Sequence, residues 1–165
     1  MNIPPHIKPN YKQLQIKFYK AENLPDMDSI GEKRTNKECQ AFIVCEFVGK
    51  KLSTSIIEMK SNIVVWNELM NIPFTYPTTS EKIIIKIYDN DLMKNDIIGS
   101  LEINVNDIMN NEFNNPRFIN IYGAPETCSG KFTNLMNENG EAGSCWKGRI
   151  LVSADVSETT EPIVG

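Results

Sequence analysis

Apolar and polar residues alternate along most of this chain with a period of two, the spacing a β-strand imposes because successive side chains face opposite sides. In LQIKFYK from Leu14, the residues Leu14, Ile16 and Phe18 share one face while Gln15 and Lys17 share the other. In KIIIKIYD from Lys82, Ile83, Ile85 and Ile87 face inward against Lys82, Ile84 and Lys86. Alternation, together with β-branched and aromatic enrichment between turn residues, predicts further strands in AFIVCEFV from Ala41, LSTSIIE from Leu52, WNELMNIPF from Trp66, IIGSLEINV from Ile97, RFINIY from Arg117 and GRILVSADV from Gly148. Asp107 to Met109 is expected as one helical turn that NNEFNNP then breaks, and no longer amphipathic helix stands out. Eight short strands with so little helix predict an all-β fold, an antiparallel β-sandwich.

The same pattern sets the expected organisation. Residues 1–12 hold three prolines and no apolar periodicity, so they read as an entering linker, with the domain over 13–156 and an exit linker over 157–165. The long Asn-, Glu- and Gly-rich segment between the last two strands reads as a surface excursion. A length of 165 residues suits one core, and 41% hydrophobic with 23% charged residues is ordinary globular composition. The net charge of -4 argues against a nucleic-acid partner, whose phosphates are bound by clustered Lys and Arg. No apolar run is long enough to cross a bilayer, and MNIPPHIKPN lacks the apolar heart of a signal peptide, so membrane anchorage is expected from elsewhere in a larger protein. Cys39, Cys45, Cys128 and Cys145 form no CxxC pair and the one histidine, His6, lies in the leader, which speaks against zinc. The chain has no Asn-x-Ser/Thr sequon, in keeping with a cytosolic setting and reduced thiols.

Candidate chemistry concentrates in IYDNDLMKNDIIG, where Asp89, Asp91 and Asp96 surround a loop that follows an apolar strand. Asp and Asn favour turns in any protein. Three carboxylates on one short loop also repel one another, and a hard cation such as Ca²⁺, which takes six to eight oxygens, relieves that repulsion. An EF-hand is excluded: counting from Asp89 puts Met93 at a ligand position, Lys94 at the glycine turn and Ser100 at the bidentate glutamate. The loop must therefore work with another segment, and the candidate is Asp28 in AENLPDMD after the first strand.

These stretches resemble the C2 domain family. The resemblance rests on AENLPDMD, AFIVCEFVGK, VVWNELMNIPF and IYDNDLMKNDIIG, and further on RFINIYGAPE, NENGEA and WKGRILVSADV, which are similar to the ferlin C2 domain that follows the FerI segment. It implies an eight-stranded antiparallel sandwich of the type II strand permutation, a calcium site at Asp28, Asp89, Asp91 and Asp96, and anionic phospholipid as partner. At the family's remaining ligand position this chain carries Gln40, which brings an oxygen but no charge, so the resemblance implies an incomplete, weak calcium site. It also implies a place at the cytoplasmic face of membranes, in a protein serving vesicle fusion or exocytosis.

Met27 and Ile30 beside Asp28, and Leu92, Met93 and Lys94 between the carboxylates, are the candidate membrane contacts, two apolar tips with a lysine able to reach a headgroup phosphate. Lys50, Lys51, Lys60, Lys82 and Lys86 are better read as a solvated face than as a headgroup cluster, and Trp66 as a core anchor. No nucleophile with a histidine base, Walker loop, dinucleotide glycine motif or HExxH occurs, so no enzymatic activity is expected. The rival expectation is a structural domain that binds neither calcium nor lipid and packs against neighbouring domains of the same chain.

Overall fold

A computed structural model describes residues 10–25, 39–90, 95–124 and 145–160. Within them, nine strands and one short helix follow in the order β1 (Asn10–Glu22), β2 (Gln40–Phe47), β3 (Lys50–Ser53), β4 (Ile57–Glu58), β5 (Val64–Tyr76), β6 (Lys82–Asn90), β7 (Asn95–Asn104), α1 (Val105–Met109), β8 (Arg117–Gly123) and β9 (Cys145–Glu158). Each predicted strand is present, with one divided. LSTSIIE breaks into β3 and β4: the Thr54 amide still donates to the Ile43 carbonyl at 2.9 Å, but side chains take the other ladder partners between the two. Thr54 Oγ1 accepts from the Ile43 amide at 2.9 Å, and the Ser55 amide and hydroxyl each donate to the Glu68 carboxylate at 2.8 Å.

Pairing is antiparallel throughout, along the path β3-β2-β6-β7-β8-β9-β1-β5, with β4 on β2. Between β7 and β8 the only paired residues among those described are Ser100 and Tyr122, so the path folds there into two facing layers. The result is an antiparallel β-sandwich. Its core is made by the inward halves of the alternating strands, among them Leu14, Ile16 and Phe18 of β1, Ile43 of β2, Ile72 of β5 and Ile83, Ile85 and Ile87 of β6. Phe47 of β2 and Phe74 of β5 meet edge to face at 5.1 Å, joining the two layers. Trp66 is buried, its indole donating to the Ser55 carbonyl at 3.1 Å. Burial also pushes the Cys45 thiol up to about 12, so it stays protonated within the core.

Two irregularities re-aim the strand ends. Between Phe18 and Lys20 the register of β1 shifts against both of its neighbours, so the inward set passes from Phe18 to Ala21. In β7 the extra residue Ile98 lies between the pairs Ile87↔Gly99 and Tyr88↔Ile97. Gly99 is required there: a Cβ on it would stand 2.8 Å from the Tyr122 carbonyl oxygen of β8.

Candidate functional site

The registers place the end of β1, the start of β2, the end of β6 and the start of β7 at one pole of the sandwich. Asp89 sits there on the inward face of β6, continuing the series Ile83, Ile85, Ile87, and is only 1% exposed. Its Oδ1 accepts a hydrogen bond from the Cys39 thiol at 3.1 Å. Beyond the Ile98 bulge, Asp96 is the direct cross-strand partner of Asp89. Two carboxylates opposed in this way repel each other, and burial of one of them raises the cost.

Gln40 opens β2 at the same pole. Its Oε1 accepts from Asn90 Nδ2 at 3.4 Å, and Glu58 of β4 lies opposite it in register. Asp89, Asp96 and Gln40 thus share one pole, but Gln40 and Asn90 belong to the outward sets of β2 and β6 while Asp89 is inward. Asp28, Asp91, Met27, Ile30, Leu92, Met93 and Lys94 lie outside the described residues, in the segments that connect these strand ends. Among the described residues no three His, Cys, Asp or Glu side chains gather closely enough to hold a metal. The two carboxylates, one buried and the other its cross-strand partner, are oxygen donors of the kind a hard cation takes. Nothing in the sequence marks Cys39 as a neighbour of Asp89. They are 50 positions apart, and only the β2–β6 pairing brings them together.

The lysines behave as a solvated face. Lys50 and Lys82 lie toward the opposite pole from Lys60, Lys51 pairs with Glu46 at 2.9 Å, and Lys82 pairs with Glu102 at 3.3 Å.

A family model described as the C2 domain matches residues 12–119. The chain is a C2 domain. Human myoferlin is 28% identical over 204 residues, covering 97% of this C2 domain and 10% of myoferlin. Ferlin 2 of Toxoplasma gondii is 30% identical over 150 residues, covering 88% of this chain and 10% of its own length. This C2 domain thus spans about a tenth of the curated relatives it matches, and the ferlin resemblance holds on both of them. In fold it is similar to the calcium-bound pair of C2 domains of extended synaptotagmin 2, with a TM-score of 0.64 and 15% identity over 90% of this chain and 46% of that one. No helix among the described residues of this C2 domain is long and apolar enough to cross a membrane.

Proposed function

We propose that this domain docks a ferlin-like protein onto anionic phospholipid at the cytoplasmic face of a membrane, using a weak calcium site at Asp28, Asp89, Asp91 and Asp96. The observation that carries this reading is the cross-strand pair Asp89–Asp96, with a nearly buried carboxylate at the pole from which the Asp91–Lys94 segment departs. Bound calcium would neutralise that pair and leave coordination places for lipid phosphate oxygens. The domain's role is binding and not catalysis, and by resemblance its parent protein serves vesicle fusion or secretion. Calorimetric titration with calcium, with and without phosphatidylserine vesicles, tests it: weak binding that tightens with vesicles is expected, and no calcium heat under either condition would refute it.

Two variants sharpen the reading. Gln40→Asp restores the missing charge beside Asn90 and should tighten calcium binding on the order of tenfold, equivalent to about 1.4 kcal/mol. An unchanged affinity in a folded variant would remove Gln40 from the site. Replacing Leu92 and Met93 together with alanine should weaken vesicle binding more than about tenfold without lowering the melting temperature, since a fully buried apolar side chain is worth roughly 1.5–3 kcal/mol. Vesicle sedimentation measures this, and equal sedimentation of both proteins would exclude tip insertion.

A structural domain packed against neighbours in the same chain is the second reading. It is favoured by the neutral Gln40 and by the half-buried Phe42–Tyr88 stack, 5.2 Å between centroids, on the outer face of β2 and β6.

A further inference from the structure

A second feature stands at the same pole, away from the carboxylates. The end of β1, the turn before β5 and the start of β9 enclose an open cleft of about 430 Å³, lined by Asn23, Leu24, Pro25, Asn62, Trp146 and Lys147 among others. The cleft walls are tied together. The Leu24 amide donates to the Asn62 carbonyl at 3.1 Å, and Asn62 Nδ2 donates to the Leu24 carbonyl at 2.7 Å. Asn23, Ser61 and Asn62 all hold positive φ, so three non-glycine residues in left-handed backbone surround one opening.

Two side chains give the cleft its chemistry. Lys147 is only 8% exposed, yet it has no ion pair among the described residues. Lys147 lines the cleft, and a lysine there can lay its apolar stem against the walls and meet an anion with its ammonium at the opening. Trp146, by contrast, is 51% exposed, and its indole Nε1 donates to Asn120 Oδ1 at 2.9 Å, which pins the ring at the surface. An exposed indole beside a largely buried lysine on the same cleft matches the interface of a bilayer, where indole rings settle at headgroup level and a cation meets phosphate.

We infer that this cleft is a calcium-independent headgroup site, in which Lys147 takes the phosphate of an anionic phospholipid while Trp146 lies in the interfacial layer. The inference rests on the membrane-docking reading above and adds a contact that needs no metal. A cation of its own gives the domain an attraction to anionic membrane that persists when calcium is absent. It also fixes the orientation of docking, since the bilayer must then lie across both the carboxylate loops and the start of β9.

The test uses the whole chain with phosphatidylserine–phosphatidylcholine vesicles in a calcium chelator, read by sedimentation and tryptophan emission. Lys147→Gln should weaken binding roughly fivefold, the worth of one basic residue at an anionic surface, and Lys147→Arg should restore it. Vesicles should shift the wild-type emission to the blue. Trp146→Phe should abolish the shift, because the remaining tryptophan, Trp66, is buried in the core. Binding in chelator that is unchanged in both Lys147→Gln and Trp146→Phe overturns this inference alone. Vesicle binding that is absent from the wild type with and without calcium overturns the docking reading as well. If glycerophosphoserine in solution protects the chain in a Lys147-dependent way while vesicles give no blue shift, the site serves a free anion and the membrane assignment fails.

Discussion

Replacing Gly148 with alanine is expected to lower stability by about 2–4 kcal/mol, a fall in melting temperature on the order of 5–15 °C for a chain of this size. Gly148 holds φ +107, and a Cβ there would meet the Glu22 carbonyl oxygen at 2.6 Å and the Asn23 carbonyl oxygen at 2.9 Å. Both obstacles are backbone, so no side-chain rotation relieves them. The approach is held from the other side by Arg149, whose Nε donates to Glu22 Oε1 at 2.6 Å and whose guanidinium holds the Glu22 carboxyl below its usual range. Substitution must therefore push β9 away from the end of β1, where the first loop toward Asp28 begins. Gly49→Ala is the control: φ is +77 there, but nothing lies within 4 Å of the added carbon, so only the conformational cost of about 1 kcal/mol is expected. Thermal melts followed by circular dichroism compare the two, and equal losses would show that the contact at Gly148 does not matter.

Asp89→Asn should abolish the thermal stabilisation that calcium confers. At a calcium concentration about 100 times Kd, the wild type gains roughly 2.7 kcal/mol from binding, or on the order of 5–10 °C. The variant loses a charged ligand while keeping an oxygen to accept from Cys39, so the metal-free fold should survive. Without calcium, the variant should melt at the wild-type temperature or above it, because one of two opposed carboxylates at the end of β6 and the start of β7 is gone. Asn in place of a nearly buried Asp also lowers the desolvation cost. Calorimetry with added calcium or chelator measures both quantities. A calcium shift of the same size in Asp89→Asn would take Asp89 out of the site.

Much of the fold was legible because alternation reports directly on which face of a strand is buried. Leu14, Ile16 and Phe18, and likewise Ile83, Ile85 and Ile87, are inward as their spacing predicts. The local pattern failed where hydrogen bonds came from distant residues. LSTSIIE reads as one strand, but Ser55 is held by Glu68 of β5, and no feature within the segment announces that partner. The shift at Phe18 and Lys20 is equally silent, since a bulge is defined by the neighbours it pairs with.

The candidate site divides in the same way. Residue type and spacing alone marked the acidic loop, and the departure at Gln40 could be read against the family pattern that the sequence resembles. What the sequence determined was therefore the kind of fold and the chemical character of one loop, because periodicity and residue type are local properties. Only the tertiary structure set Asp96 opposite Asp89, Cys39 against the Asp89 carboxylate, and Trp146 and Lys147 beside Leu24 and Asn62. Asp89 and Asp96 lie on one hairpin, where the bulge at Ile98 decides which residues face each other, while the other groupings arise from the closing of two layers and from pairings across tens of residues that no window of sequence contains.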